Sequence, residues 1–177
     1  MDESGVEVTG IEELTVGFSR FAEDIQDASE AFRLMAADFH ELERRQFESE
    51  GKYGSGGWPA LSPRYAAWKA ATYPGRKILV LSGLLKESLT DGNPWTVEEI
   101  EPTQMLIGTN IPYSLHHQLG GERVPQRKPV VLTEADQQRW IKIFHAWLVK
   151  RSNSAFAGLM PGMNAAARHL KSIQQET

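Results

Sequence analysis

Apolar side chains recur at helical spacing in the N-terminal third of the chain. Eight of them are separated alternately by three and four positions: Phe18, Phe21, Ile25, Ala28, Phe32, Met35, Phe39 and Leu42. This spacing predicts one amphipathic helix, with Glu, Asp and Arg on its other face. A helix of about 30 residues would be about 45 Å long. The stripe packs either on the protein's own sheet or against a neighbouring subunit; self-packing is favoured because so short a chain has few other core donors.

Strand signals are short and scattered. Val6 and Val8 alternate with polar residues and predict a brief strand near the N-terminus. Residues 95–101 and 105–109 predict two strands of a hairpin, connected through Pro102 and Thr103. Residues 130–132 predict a third strand.

The remaining helices are predicted from start and stop signals. Residues 79–89 predict a helix, for which Ser82 and Gly83 mark a tight start. Thr133 can cap the next helix, and Asp136 can reach back to it as in a capping box. The apolar face of that helix carries Trp140, Ile141, Phe144, Trp147 and Leu148. Residues 164–174 predict a weaker helix.

Helix and strand signals are mixed without β-α-β alternation, which predicts an α+β fold with a long N-terminal helix and a C-terminal helix on a small antiparallel sheet. At 177 residues the length favours one domain. We expect a single α+β domain over residues 1–150, with a mobile glycine-rich loop at residues 50–57. Residues 151–177 form a C-terminal extension that can act as an interaction arm.

Composition narrows the class of function. The net charge of -4 disfavours a protein that binds nucleic acid by neutralising phosphates, although a locally basic face is compatible with it. Cysteine is absent, which removes disulfides, thiol nucleophiles and thiolate metal sites. No apolar run approaches the roughly 20 residues of a transmembrane helix, and the acidic start does not resemble a signal peptide.

Candidate chemistry is sparse. The glycines at residues 54–57 are followed by Trp58 and Pro59, so a phosphate-binding loop with its lysine and hydroxyl is missing. The adjacent His116 and His117 point apart on a strand or a helix and make a poor chelate. No carboxylate pair is isolated in an apolar setting, as general acid–base catalysis requires. We expect no catalytic residues, no metal site and no cofactor.

Two groups of residues fit contact with a partner. Trp58, Tyr65 and Trp68 form either a core cluster or an interface anchor, because aromatic residues serve both roles; the neighbouring glycines slightly favour an anchor. A basic group at Arg123, Arg127 and Lys128 is most simply a solvated loop. Contact with an acidic partner or with passing DNA is the alternative.

Several ordered motifs resemble the phage virion-morphogenesis family, which comprises tail-completion proteins of Mu-like and P2-like phages and related neck proteins of HK97-like phages. The motifs are Val6-x-Val8-x-Gly10 before the long helix, Gly57-Trp58-Pro59-Ala60-Leu61-Ser62 with Tyr65 and Lys69, Leu79-Val80-Leu81-Ser82-Gly83-Leu84-Leu85, Ile107-Gly108-Thr109-Asn110-Ile111-Pro112-Tyr113 with His117, and Pro125-Gln126-Arg127-x-Pro129. The resemblance covers roughly residues 6–150. The tail after Lys150 has no counterpart in it.

The resemblance implies a non-enzymatic structural subunit of the virion neck or tail, assembled in the host cytoplasm. Such a subunit forms a homo-oligomeric ring (hexamer or dodecamer) that joins the connector to the tail and contacts other neck, connector and tail proteins. DNA passes through the channel without specific binding, and no membrane is involved. The expected interface residues are Trp58, Leu61, Tyr65, Trp68, Tyr113, His117, Arg123, Arg127 and Lys128.

Three other functions compete with this one. A tail terminator or other tail-tube component belongs to the same class at a different level of the particle. A histidine-dependent metal hydrolase would bind stoichiometric zinc through residues such as His116 and His117. A nucleic-acid-binding regulator would show an affinity for DNA that falls steeply with salt.

Overall fold

The computed structural model describes residues 11–122 and 124–157. These form six helices and one two-stranded sheet: α1 (Ile11–Asp24), α2 (Ser29–Glu48), α3 (Pro63–Thr72), α4 (Leu84–Thr90), β1 (Thr96–Ile100), β2 (Met105–Thr109), α5 (Ser114–Leu119) and α6 (Glu134–Ala155). The α+β class is confirmed. The predicted strand at Val6 and Val8, the helix at 164–174 and Arg123 lie outside the described residues.

The chain divides into two compact units. The described residues of one unit are 11–27 and 144–157, which include α1 and the C-terminal part of α6. Within it the rings of Phe18 and Phe156 meet edge to face, 5.3 Å apart between centroids. Trp147 is buried beside the ring of Phe144, and the guanidinium of Arg151 lies over its indole.

The second unit, Ala28–Ile143, contains the sheet and the larger core. β1 and β2 pair antiparallel with Val97 opposite Gly108, as the predicted hairpin requires. Helices α2 and α4 pack against this hairpin. The core side chains between them are apolar and buried: Phe39, Phe47, Trp58, Val80, Leu85, Leu89 and Ile111.

The single long N-terminal helix predicted from the apolar stripe is wrong in its continuity. The chain leaves the helix after Asp24 and starts again at Ser29. The amide of Ala28 donates to the carbonyl of Pro102 in the hairpin connection, 2.8 Å away, so a tertiary hydrogen bond replaces a helical one. The apolar positions keep their spacing of three and four residues across this break. The pattern alone therefore did not reveal that the helix is interrupted.

Two further predictions need correction. Residues 130–132 form no strand, because the side chain of Gln118 takes both backbone groups of Val130: its amide donates to the carbonyl at 2.9 Å, and its oxygen accepts from the N–H at 3.2 Å. The helix predicted over 79–89 begins only at Leu84. Gly83 precedes it with φ of 104°, a left-handed conformation that favours glycine, so the predicted tight start is confirmed at that residue.

The glycine-rich loop at residues 50–57 folds back on α2. The side chain of Gln46 donates to Ser55 Oγ and accepts from the amide of Gly54, at 3.1 and 2.9 Å. Gly51 lies against the indole of Trp58, at φ of 84°, where a Cβ would collide with the ring. Mobility of this loop stays a prediction. The contacts show how the loop is held against α2.

A buried polar junction ties the loop and α2 to the start of α6. Asp136 is fully buried and accepts hydrogen bonds from Tyr53 Oη at 2.6 Å and from Arg139 Nη2 at 2.7 Å. Thr133 donates to it from both backbone and hydroxyl, and the amide of Asp136 donates back to Thr133 Oγ1 at 3.3 Å. The predicted capping box is confirmed.

Candidate functional site

A cavity of about 840 Å³ opens within the unit Ala28–Ile143. Helix α3, the turn before α4, helix α5 and the segment at residues 124–127 surround it. Leucines form much of its wall: Leu61, Leu79, Leu81, Leu84 and Leu85. Its volume falls within the roughly 300–1,000 Å³ of typical ligand pockets. It is therefore a preformed concave site rather than a surface irregularity.

Arg127 supplies a buried positive charge to this cavity. Only 7% of the residue is exposed, and its guanidinium donates to two backbone carbonyls, from Nε to Pro59 at 2.8 Å and from Nη2 to Ala60 at 2.9 Å. Burial lowers the pKa of the guanidinium, with a smaller opposing effect of Tyr65. No carboxylate of residues 11–122 or 124–157 forms an ion pair with it. The charge is held in place but not neutralised there.

Lys69 brings a second buried cation to the same wall. It projects from α3, is 4% exposed, and donates from Nζ to the carbonyl of Lys77. Burial lowers its pKa, while the carboxylate of Glu50 acts in the opposite direction. Glu50 itself accepts a hydrogen bond from the amide of Ile78. The cavity thus combines apolar walls with two desolvated positive groups, a combination suited to an anionic group attached to apolar side chains.

His117 and Tyr113 belong to α5 and to the residue before it. Their rings meet edge to face, with 6.2 Å between centroids. Nδ1 of His117 is buried and has no hydrogen-bond partner among the described atoms. Burial lowers the pKa of His117, and the positive charges of Arg127 and His116 lower it further. The side chain of His117 lines the cavity, while its Nδ1 is enclosed by protein.

Five of the nine predicted interface residues line this one cavity: Leu61, Tyr65, Tyr113, His117 and Arg127. The sequence did not predict that they converge, because Leu61 and Tyr65 lie in one segment and the other three residues lie in a second segment that begins 48 positions after Tyr65. The solvated-loop interpretation is wrong for Arg127, whose burial follows from its bonds to the chain at residues 59–60. Whether these residues contact a partner stays a prediction.

The other predicted residues lie elsewhere. Trp58 is buried in the core, where its ring meets that of Phe47 and its Nε1 donates to the carbonyl of Lys128 at 2.9 Å. Its position favours the core alternative over the anchor. Trp68 is exposed, with its ring beside those of Tyr65 and Tyr73. The side chain of Lys128 is exposed.

Lys69 was missed as a site residue. It entered the sequence argument only as part of a family motif, because a lysine on a short helix is normally solvated. The available signal was its position four residues after Tyr65, which places both on one face of α3.

The described residues offer little for catalysis. Within residues 11–122 and 124–157, no three His, Asp or Glu side chains converge as metal ligands. His40 is occupied: its Nδ1 lies 2.8 Å from the carbonyl of Leu89, and its Nε2 lies 2.9 Å from Glu98. The cavity wall around Arg127 and Lys69 carries positive charge, and none of the described residues that line it is a carboxylate.

No helix in the described part of the chain is both long and apolar enough to cross a membrane.

Comparison with known proteins assigns the chain to one family. No curated protein and no solved structure gives a significant match. The model of the phage virion morphogenesis family matches residues 9–149, which is most of the chain and includes every residue that lines the cavity. The chain therefore belongs to the phage virion morphogenesis family, a family of virion-associated structural proteins.

Proposed function

We propose that this protein is a subunit of the neck of a tailed phage, where it forms a homo-oligomeric ring around the DNA channel and joins the connector to the tail. Membership in the family supports a structural role in virion assembly. The position in the neck follows from the resemblance to tail-completion and neck proteins. The ring is inferred from exposed apolar side chains and a sheet edge of the unit Ala28–Ile143.

The observation that carries the proposal is the solvent-exposed apolar face of α5. Leu115 and Leu119 are one helical turn apart, so they share a face, and they are 59% and 66% exposed. No residue of α5 is buried. Isolated exposed leucines are common on monomers, but a short helix that exposes its whole apolar face is typical of a surface completed by a partner.

The hairpin adds a second kind of contact. Among the described residues, β1 and β2 pair only with each other, so each has an outer edge without a strand partner. Leu106 on β2 is exposed as well. Unpaired edges accept strands or extended segments from other chains. An apolar helix face and a sheet edge are different surfaces, as head-to-tail contacts around a ring require.

DNA in such a ring would meet a protein of net negative charge, -4 per chain. Repulsion from phosphates would let DNA pass without sticking, since specific anchoring depends on cations that displace counterions. A channel surface with net positive charge in the assembled neck would contradict this part of the proposal.

Light scattering and negative-stain imaging of the purified chain, alone and with connector and tail proteins, test the ring. We expect closed rings, and we expect Leu115→Ser with Leu119→Ser to reduce them. Leu34→Ser is the matched control, because Leu34 is an exposed leucine on α2. Monomers under every condition would contradict the proposal.

A further inference from the structure

The two buried cations of the cavity, neither of which has a close carboxylate partner among the described residues, indicate what should occupy it. Burying a charge without a counter-charge is costly, and it is tolerated where a partner completes the site. Arg127 and Lys69 are each more than nine-tenths buried, and neither forms an ion pair with a carboxylate of residues 11–122 or 124–157. The leucine walls add a requirement for apolar side chains. The expected occupant is an acidic segment with small apolar residues.

The chain itself carries such a segment. Residues 2–8 read Asp-Glu-Ser-Gly-Val-Glu-Val, with three carboxylates, two valines and no Lys or Arg. The opposite terminus is unsuitable: residues 158–177 contain Arg168 and Lys171 against one acid, Glu176. In the hairpin, the acids Glu98 and Glu101 are already hydrogen-bonded, to His40 and Gln104 respectively. Glu12, Glu13 and Glu99 are exposed acids as well, but they lie within a helix or a strand. Residues 2–8 carry three acids without a basic residue, so charge complementarity favours this segment.

We propose that the cavity binds residues 2–8 of a second copy of the chain, with carboxylates placed against Arg127 and Lys69 and valines placed among the leucines. The inference rests on the proposed ring, in which the acidic segment of each subunit enters the cavity of the next. This contact is heterologous, because the segment and the cavity are different surfaces.

Cysteine cross-linking tests the contact directly, because the natural chain contains no cysteine. Val8→Cys in one full-length chain and Leu61→Cys in a second, size-tagged chain are mixed and oxidised. We expect a mixed disulfide between the two chains. The control replaces Leu61→Cys by Gln104→Cys, at an exposed position in the hairpin connection away from the cavity. Tyr113→Cys, at an exposed cavity residue, replaces Leu61→Cys if that variant fails to fold.

Three results would overturn the inference. One is a yield of mixed disulfide no higher than with Gln104→Cys. A second is a disulfide that forms only within a single chain carrying both Val8→Cys and Leu61→Cys, which would assign the cavity to the chain's own N-terminus. A mixed disulfide to an added connector or tail protein, in place of one between copies, also overturns it.

Charge reversal gives an independent readout. Glu3→Lys with Glu7→Lys should lower the association constant between copies by roughly tenfold or more, which corresponds to about 1.4 kcal/mol. Glu99→Lys, at an exposed position on β1, should leave the constant unchanged. Equal effects of the two changes would contradict the inference. If rings form but the mixed disulfide does not, only the contact between residues 2–8 and the cavity is contradicted. If the mixed disulfide forms but no closed ring is seen, the proposed ring is contradicted.

Discussion

Two buried charged residues in the unit Ala28–Ile143, Asp136 and Arg127, differ in whether the described chain balances their charge. Asp136 is fully buried and is surrounded by donors from Tyr53, Thr133 and Arg139. Arg127 is buried almost as deeply, yet its only described partners are backbone carbonyls. The first centre is complete within one chain. The second has a charge that nothing in the described chain balances.

The pKa values follow the same division. Burial raises the pKa of Asp136, but hydrogen bonds from Tyr53, Thr133 and Arg139 together lower it below its usual value. For Arg127 the effect of burial prevails, and its pKa is lowered. A charge that the fold favours contributes to stability, whereas a charge that the fold disfavours is retained for another reason. The difference separates a centre that stabilises the fold from the centre to which we assign binding of a second copy.

Removal of Asp136 should have the largest effect. Asp136→Ala removes the buried acceptor that Tyr53 Oη, Arg139 Nη2 and Thr133 share, although Arg139 keeps its bond to Asp38, so we expect a loss of about 3–5 kcal/mol in the free energy of unfolding. Urea denaturation measures it. Asp91→Ala is the control, because its pair with Arg44 is exposed and such pairs contribute about 0–1 kcal/mol. Similar losses for both variants would contradict the assignment of Asp136 as a stabilising centre.

Glu43 next to this centre should act in the opposite direction. Burial, together with the charge of Asp136, raises its pKa from 4.5 to about 9, and its Oε2 has no partner among the described atoms. The folded state therefore keeps a proton that the unfolded chain releases. Stability from this group is complete below pH 4.5 and is lost as the pH rises towards 9. At pH 7 the loss is on the order of 3 kcal/mol.

Glu43→Gln removes this dependence, since the amide has no proton to release. We expect it to raise the free energy of unfolding more at pH 8 than at pH 5, by urea denaturation at both values. Glu48→Gln, an exposed position on the same helix, is the control and should show little change at either pH. An equal gain at pH 5 and pH 8 would exclude titration of Glu43 as the cause.

The sequence predicted a contact between neighbouring positions, the capping box at Asp136. It did not predict the contacts of Arg139 and Arg127 with residues far away in the sequence. Thr133 and Asp136 were paired correctly because a capping box is encoded within four residues. The bifurcated bond from Arg139 Nε to the two carboxylate oxygens of Asp38 spans 101 positions, and no local pattern signals it. Arg127 was interpreted as solvated for the same reason: its carbonyl partners lie 67 and 68 positions away. Periodicity identified the helices, but tertiary hydrogen bonds decided where the N-terminal stripe breaks.

Replacement of Arg127 should separate stability from assembly. Arg127→Met keeps much of the side-chain volume while it removes the charge and two hydrogen bonds. The lost bonds destabilise the fold, but relief of an unbalanced buried charge offsets part of this, so we expect a net loss of about 1–2 kcal/mol. Association between copies should fall much more, by analytical ultracentrifugation. A stability loss as large as that of Asp136→Ala would mean that Arg127 mainly stabilises the fold. The proposed difference between the two residues would then be wrong.

Lys128, the neighbour of Arg127, should show the smallest effect. Its carbonyl accepts hydrogen bonds from Gln46 and Trp58, at 3.0 and 2.9 Å, while its side chain is exposed. Lys128→Ala keeps the carbonyl, so the free energy of unfolding should change by no more than about 0.5 kcal/mol. Association should change little as well, because Lys128 does not line the cavity. Weaker association with unchanged stability would instead extend the contact surface beyond the cavity to this lysine. The prediction from sequence that Lys128 is an interface residue would then hold for its side chain, and the unbalanced charge of Arg127 would be only part of what attracts the neighbouring copy.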